Sequence, residues 1–217
     1  MTQPRDGYHH GDLRNALVAA AVRLVETSGA ATFSLREAAR DLGVSANAAY
    51  RHFDDKSALM TAVAAFGFRQ LGTEMVGGMT TATEAGAHGS AAIARFKAVG
   101  RAYVEFAIAH PELFRVMFGA SGAECRSAEP GDDASEDPWS LLGQSLDALV
   151  ADGLLAPEQR PGAELKAWAV VHGFASLALD GLAALPTVDA RAVALEALLD
   201  FTVVGLCGGD ARAAAMP

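Results

Sequence analysis

The chain has few cysteines. It contains Cys125 and Cys207 and no Cys-x-x-Cys pair. A disulfide framework is therefore not expected. Because free thiols are typical of reducing compartments, we expect a cytoplasmic protein.

Long uninterrupted apolar runs are also missing. The longest apolar stretch, residues 165–185, is interrupted by Lys166, His172 and Asp180. We interpret it as a buried helix and not as a membrane span, since charged side chains are costly in the hydrocarbon layer. The beginning of the chain is polar and lacks the apolar core of a signal peptide. We therefore expect no membrane as a partner.

The common catalytic motifs are a third absence. The sequence has no G-x-S-x-G elbow, no G-x-G-x-x-G or P-loop glycine pattern and no H-E-x-x-H zinc motif. His9 and His10 are adjacent, but no carboxylate or cysteine stands at a spacing that would complete a metal cage around them. We expect no enzymatic activity, no metal and no resident cofactor.

The composition favours an all-α protein. Apolar residues make up 51% of the chain, enough for a sizeable core, and strand-like alternations are missing. The net charge of −9 is distributed unevenly. Residues 1–70 hold 8 Lys and Arg against 7 Asp and Glu, whereas residues 71–217 hold 9 against 19. The excess of acidic residues lies in residues 71–217 and keeps that part away from polyanions. Residues 1–70 are weakly cationic.

Two short helices are predicted within residues 34–59. Ser34 with Glu37 has the spacing of a capping box, and Gly43 can end the first helix in the left-handed conformation. Ser45 can then cap a second helix over 46–52. That helix would direct the following residues outward: Ala46, Asn47, Ala48, Tyr50, Arg51 and His52. Small residues with several hydrogen-bond donors suit the recognition helix of a helix-turn-helix, but a purely structural hairpin has the same outline.

A longer series of residues resembles the DNA-binding domain of TetR-family transcriptional regulators. The matching elements, in order, are Asp12–Leu13–Arg14, Ala20–Ala21, Leu24–Val25, Gly29, Phe33–Ser34–Leu35–Arg36, Ala38–Ala39, Leu42–Gly43–Val44–Ser45, Tyr50–Arg51–His52–Phe53, Lys56 and Leu59. The opening Tyr8–His9–His10–Gly11–Asp12–Leu13–Arg14 is similar to one branch of that family. Asn47–Ala48–Ala49 departs from the commoner Gly-Thr-Leu, so the base preference stays open. The resemblance implies a homodimeric regulator that acts as a repressor.

The DNA contacts follow from the resemblance and from side-chain chemistry. The resemblance implies phosphate contacts by Tyr50, His52 and Lys56. Base or groove-edge contacts suit four other side chains: Arg36, Asn47, Ala48 and Arg51. Ser34 and Ser45 cap their helices, and their hydroxyls and helix N-termini can also meet phosphate. The alternatives are packing for Tyr50 and a solvated helix start for Lys56. His9 and His10 could contact a minor groove as part of an N-terminal arm.

The C-terminal part resembles the Trp-His-Gly type of TetR regulatory domain. The matching residues are His110–Pro111–Glu112–Leu113–Phe114–Arg115–Val116–Met117–Phe118–Gly119, Trp168, Val171–His172–Gly173 and Asp180–Gly181. The resemblance implies an all-helical domain that binds a small effector and dimerises through its last two long helices. The expected domains are an arm (1–10), a DNA-binding domain (11–57), a ligand-binding and dimerisation domain (58–208) and a frayed tail (209–217).

About nine helices are expected in total. We expect loops from Gly77–Gly78 to Gly89 and over 119–137, where apolar anchors are missing. The last two helices, predicted over 162–185 and 189–206, are rich in alanine and glycine, which allows close helix approach. Four-helix pairing of two copies would then bury Val171, Leu195, Leu198, Leu199 and Val203, although an internal core is the alternative.

Aromatic and sulfur-containing residues on several of these helices could enclose an apolar effector, with Tyr103 or His172 orienting it. The candidates are Phe66, Phe96, Tyr103, Phe106, Phe114, Met117, Phe118, Trp139, Trp168, His172 and Phe174. Ordinary core packing explains the same pattern. The sequence therefore predicts a homodimer that binds a palindromic DNA operator and is released by a small molecule. The alternative is a helical effector-binding or interaction module without sequence-specific DNA binding.

Overall fold

The computed structural model describes residues 10–84, 91–127, 137–182, 185 and 187–208. Within these ranges the regular structure is helical, as predicted. The α-helices are α1 (His10–Ser28), α2 (Leu35–Asp41), α3 (Ala46–Tyr50), α4 (Lys56–Glu84), α5 (Ala91–Ala109), α6 (Pro111–Phe118), α7 (Ala120–Ser127), α8 (Pro138–Ala151), α9 (Ala163–Leu179) and α10 (Val188–Cys207), with a 3₁₀ turn at Pro157–Gln159. No described helix is long and apolar enough to cross a membrane.

The first of two compact units comprises Met1–Gly67 and His110–Glu129. In it, α1 packs on α2, α3 and α6, and α7 packs on α6. The core is built from side chains that are less than 4% exposed, among them Leu17, Val25, Phe33, Leu35, Phe53, Leu59, Leu113 and Met117. A buried core of this kind holds the α2–α3 hairpin on α1.

The second unit comprises Phe68–Ala109 and Pro130–Pro217. Helix α5 is its centre, because α8, α9 and α10 all pack on it. Gly100 permits the closest approach: a Cβ there would lie 2.6 Å from Leu199 Cδ2. Lys97 on α5 also binds the carboxylates of Glu196 and Asp200 on α10. Burial alone would lower the pKa of Lys97. The hydrogen bonds to these two carboxylates outweigh it and raise the pKa above its ordinary value.

The predicted loop after Gly77–Gly78 was wrong at its start, because α4 continues to Glu84. Gly78 lies against α5, where a Cβ would be 3.5 Å from the Ala98 carbonyl oxygen and 3.8 Å from Ala102 Cβ. These are ordinary van der Waals distances, and Gly78 lies within the helix and does not end it. Residues 85–90 of the predicted loop lie outside the described residues.

The predicted loop over 119–137 was also wrong in part. Residues Ala120–Ser127 form α7, which accounts for the helix beyond the nine expected. Gly122 allows it to fold back on α6, since a Cβ there would lie 1.6 Å from the Met117 carbonyl oxygen. Glu124 accepts a hydrogen bond of 3.0 Å from Thr61 Oγ1 on α4. Residues 128–136 lie outside the described residues.

Other boundaries differ by less. Helix α9 ends at Leu179, before the predicted end at 185, because Gly181 adopts a left-handed conformation with φ of 68°. The Leu182 amide donates to the Leu177 carbonyl, which completes a Schellman-type end. The predicted DNA-binding domain, 11–57, lies within the first unit, whose extent to Gly67 and over 110–129 is larger. The predicted arm ends inside α1, which begins at His10, and the tail at 209–217 lies beyond the described part.

Candidate nucleic-acid interface

The predicted capping box fixes the start of α2. Ser34 is extended, and its Oγ accepts a hydrogen bond of 3.3 Å from the Glu37 amide. Glu37 Oε2 accepts one of 2.8 Å from the Ser34 amide in return. Leu35, Ala38 and Ala39 are then buried against the rest of the first unit. The capping box and the apolar face set the direction of α2.

The turn between α2 and α3 is closed by backbone hydrogen bonds. Gly43 has a φ of 68°, and its amide donates to the Arg40 carbonyl, while the Val44 amide donates to that of Ala39. Ser45 then caps α3, with its Oγ accepting from the Ala48 amide at 3.2 Å. Helix α3 ends at Tyr50, earlier than the predicted His52, and Arg51 is its C-cap.

Helix α3 turns most of its side chains outward. Only Ala49 is buried, while Asn47, Tyr50 and Arg51 are exposed and Ala46, Ala48 and His52 are half-buried. Tyr50 is 43% exposed, so a large part of its side chain faces solvent. Within the described ranges, neither Asn47, Tyr50 nor Arg51 donates or accepts a side-chain hydrogen bond. Polar groups without partners on a convex helix are available to a ligand.

Lys56 is partly engaged within the protein. Its Nζ donates to the Ala31 carbonyl at 3.2 Å and lies 5.1 Å from the centroid of the Phe33 ring. An ammonium has three N–H donors, so one contact with Ala31 leaves capacity for a phosphate oxygen. Lys56 is thus held beside the α1–α2 connection and is not a freely solvated helix start.

Two arginines that sequence reasoning did not assign hold the hairpin in place. Arg14 on α1 lies over the Phe53 ring at 5.0 Å, and Arg23 binds Asp41 at the end of α2 at 2.7 Å. Spacing alone could not reveal either pair, because the partners are far apart in sequence. Arg36 on α2 is exposed and, like the α3 side chains, has no partner within the described part of the protein.

The predicted effector-binding residues fall in both units. In the first unit, Phe114 and Met117 are buried, Phe66 and Phe118 are half-buried, and the Phe114 and Phe118 rings lie 4.7 Å apart. In the second unit, Phe96 and Phe106 are buried core residues and Phe174 is half-buried.

The four remaining candidates form a cluster in the second unit, here called the tryptophan cluster: Tyr103, Trp139, Trp168 and His172. Trp168 Nε1 donates to Tyr103 Oη at 3.1 Å, and Tyr103 Oη lies 2.8 Å from His172 Nδ1. The Trp139 and Trp168 rings meet edge to face, with centroids 5.9 Å apart. Burial lowers the pKa of the His172 imidazole below its ordinary value. From the sequence, only Trp168 and His172 were expected to lie side by side, since they are one turn apart on the same helix. Tyr103 could not be placed beside them, because it lies on another helix.

Metal-binding groups are not assembled in the part of the protein that the structure describes. Within it, no group of three or more His, Cys, Asp or Glu side chains could hold an ion. The side chains of His9 and His10 lie outside it, so their predicted arm contact stays a prediction.

Comparison with known proteins covers both units. The model of the family described as "Bacterial regulatory proteins, tetR family" matches residues 17–63, which include the whole α2–α3 hairpin. The model described as "Tetracyclin repressor-like, C-terminal domain" matches residues 96–202. The chain belongs to the TetR family of transcriptional regulators. It is therefore a DNA-binding regulator, and the α2–α3 hairpin lies in its DNA-binding domain.

Solved structures of similar fold include other TetR-family proteins. A protein of unknown function from Rhodococcus sp. RHA1 is 32% identical, with a TM-score of 0.70 over 94% of this chain and 100% of that one. RolR in complex with resorcinol is 17% identical (TM-score 0.63, 95% and 94% covered). A variant of TetR from Acinetobacter baumannii AYE in complex with minocycline is 18% identical (TM-score 0.59, 92% and 96% covered). No curated protein sequence matches the chain.

Proposed function

We propose that this TetR-family regulator is a homodimeric repressor that binds a palindromic operator through two α2–α3 hairpins and is released by a small-molecule effector. The observation that carries the proposal is the outward face of α3, where Asn47, Tyr50 and Arg51 have no partner within the described residues. A rigidly capped hairpin that presents unpaired donors fits a DNA groove better than a purely structural role. A DNA-bound role places the protein in the cytoplasm.

The proposed base contacts use four side chains at the outer edge of the hairpin. Arg36 and Arg51 can grip guanine, Asn47 can pair with adenine, and Ala48 can touch a thymine methyl group. Half-buried Ala46 and Ala48 would let the α3 backbone approach the groove floor. These contacts determine which sequence is bound, so their loss changes base preference more than affinity for random DNA.

The proposed phosphate contacts flank these residues. Tyr50, His52 and Lys56 stand at the end of α3 and the start of α4, and Ser34 and Ser45 mark the N-termini of α2 and α3. Helix N-termini and donor side chains both favour phosphate oxygens. The residues on α3 and the start of α4 carry few charges, so one hairpin alone would bind weakly and a dimer would supply the second set of contacts.

The proposed dimer pairs α9 and α10 with their copies. On α10, Val193, Ala197, Phe201 and Gly205 recur every four residues and are all exposed, Val193 to 71% and Phe201 to 70%. On α9, Leu165 and Leu177 are 59% and 48% exposed on a face shared with Ala169 and Gly173. Apolar rows of this spacing suit ridge-into-groove packing against a second pair of helices.

Four of the five residues that were expected to fill this interface are buried within the protomer, and Leu198 is half-buried. Val171, Leu195, Leu199 and Val203 are at most 7% exposed within one protomer, so they form its core. The exposed rows on α9 and α10 would supply the dimer contact in their place. Gly173 and Gly205 have nothing within 4 Å of a Cβ position, which leaves room for a partner helix to come close.

The proposed release follows from a difference in affinity. An effector that favours one arrangement of the two hairpins weakens DNA binding only as far as it binds the two arrangements unequally. The similar folds of RolR and TetR, whose structures hold resorcinol and minocycline, support small-molecule control.

Fluorescence anisotropy with the DNA that flanks the coding sequence tests the proposal. We expect tight, salt-sensitive binding to one segment, at least about 10³-fold tighter than to shuffled DNA of equal length. Equal affinity for both would favour the alternative, a helical effector-binding or interaction module without sequence-specific DNA binding. The strongly acidic composition of residues 71–217 is the observation that favours this alternative.

A further inference from the structure

The tryptophan cluster joins three helices of the second unit at one point. Tyr103 comes from α5, Trp139 from the first turn of α8, and Trp168 and His172 from successive turns of α9. Trp168 lies between Trp139 and His172, with centroid distances of 5.9 Å and 5.3 Å. Aromatic rings from separate helices are thereby held in fixed mutual orientations.

Hydrogen bonds link Tyr103 to both Trp168 and His172. An indole N–H can only donate, so Tyr103 Oη accepts from Trp168 Nε1. Tyr103 Oη also lies within hydrogen-bond distance of His172 Nδ1, at 2.8 Å. Burial lowers the pKa of this imidazole, which favours its neutral form.

Exposure increases from Tyr103 to Trp139. Tyr103 is only 3% exposed, Trp168 and His172 are half-buried, and Trp139 is 48% exposed. About half of a large indole thus remains in water although its neighbours are fixed. Covering that surface with another apolar ring is favourable, since an aromatic side chain buries far more area than other residues.

The charge pattern selects among possible ligands. The interactions that define the cluster link uncharged groups only. Three cations of the second unit are paired with carboxylates: Lys97 and Arg101 bind carboxylates of α10, and Arg160 binds Asp147 and Glu164. Residues 71–217 hold 9 Lys and Arg against 19 Asp and Glu. This excess of carboxylates disfavours an anion, and an uncharged ring can cover the exposed indole without the cost of desolvating a charge.

We propose that the tryptophan cluster binds the effector and that this effector is an uncharged aromatic molecule which packs on Trp139 and Trp168. The inference rests on the proposed effector control and specifies its ligand class. The half-exposed Trp139 ring, held edge to face against Trp168, is the surface that such a molecule would cover.

Intrinsic fluorescence reports on this site alone, because the chain has two tryptophans and both belong to the cluster. The probe is phenol, excited at the red edge of tryptophan absorption. Its controls are cyclohexanol, which is not planar, benzoate, which is anionic, and benzylammonium, which is cationic. We expect saturable quenching by phenol, and affinities at least about tenfold weaker for each control compound. Equal binding of cyclohexanol or tighter binding of either ion would overturn the assignment.

Substitutions locate the site. Trp139→Ala should weaken phenol binding at least about tenfold, whereas Trp139→Phe, which keeps an aromatic ring, should retain most of it. Tyr50→Ala removes a similarly exposed ring from the other unit and should leave phenol binding unchanged. Undiminished binding by Trp139→Ala would contradict the proposal. DNA anisotropy, measured separately, distinguishes the two proposals. If phenol binding depends on Trp139 but leaves the affinity for DNA unaltered, the aromatic site is supported and the proposed release from DNA by an effector is contradicted.

Discussion

Ser34 and Glu37 each satisfy the other's backbone amide across the first turn of α2, at 3.3 Å and 2.8 Å. This exchange gives hydrogen-bond acceptors to two N–H groups at the start of the helix. The helix itself has no acceptors for them. Because α2 has only seven residues, this capping box contributes a large share of its stability and thereby positions α3.

Glu37→Ala should destabilise the protein by about 1 kcal/mol, the usual cost of a lost capping interaction. Glu37→Gln is the matched control, because a glutamine oxygen can still accept from the Ser34 amide. The free energy of unfolding from urea titration checks both. If the alanine and glutamine variants were equally stable, the capping box would not hold the hairpin.

Lys56→Ala should weaken binding to all DNA sequences and reduce the slope of log affinity against log salt by about one, because one phosphate contact is lost. Tyr50→Phe removes an uncharged donor, so it should lower affinity while the slope stays near the wild-type value. Anisotropy titrations over a series of salt concentrations measure both slopes. An unchanged slope for Lys56→Ala would restrict Lys56 to its contact with the Ala31 carbonyl.

Stability should fall as the pH is lowered through the histidine range, and His172 should cause part of the fall. Burial lowers its pKa in the folded state, so the unfolded chain binds the proton more readily. The contribution of His172 to the free energy of unfolding is complete above the pKa of the unfolded state, about 6.5. It is lost as the pH falls towards the lower pKa of the folded state. Protonation puts a proton on both ring nitrogens, so Nδ1 could then only donate to the Tyr103 hydroxyl.

Unfolding free energies at about pH 7.5 and 5.5, on either side of the ordinary histidine pKa, measure this loss. His172→Gln should lose less stability between the two pH values than the wild type does, and tryptophan fluorescence should change with pH only in the wild type. An equal or larger loss in His172→Gln would mean that other groups cause the acid sensitivity.

Phe201→Glu should convert the dimer into a monomer, because each copy would place a carboxylate in the proposed α9–α10 interface. Phe201 is 70% exposed in one protomer, so the fold of the protomer should survive. Light scattering at micromolar concentration measures the mass, and Tyr50→Glu, in the other unit, is the control that should remain dimeric. A dimeric Phe201→Glu variant would place the interface elsewhere.

Local sequence signals determined most helix boundaries. Ser34, Ser45, Pro111 and Pro138 mark helix starts in the structure as they do in the sequence, and Gly43 ends α2 with the expected positive φ. These signals succeed because capping and left-handed glycine act within a few residues.

Contacts between distant residues could not be predicted. The Gly77–Gly78 pair is typical of a helix end but lies inside α4, where Gly78 packs against α5. Helix α7 depends on the approach of Gly122 to Met117 and on the bond from Thr61 to Glu124, neither of which has a sequence pattern. The α3 surface was predictable from its spacing, whereas the bond from Tyr103 to His172 joins helices far apart in the chain.

Hydroxyl-radical footprinting on DNA selected from random sequence by the purified protein tests the central claim most directly. Two hairpins presented by one dimer should protect two regions on one face of the duplex, with centres one helical turn or a multiple of about 10 base pairs apart, and related by a palindrome. Arg51→Ala should lose the base preference within both regions. A single protected region, or recovery of no common sequence after selection, would contradict the account.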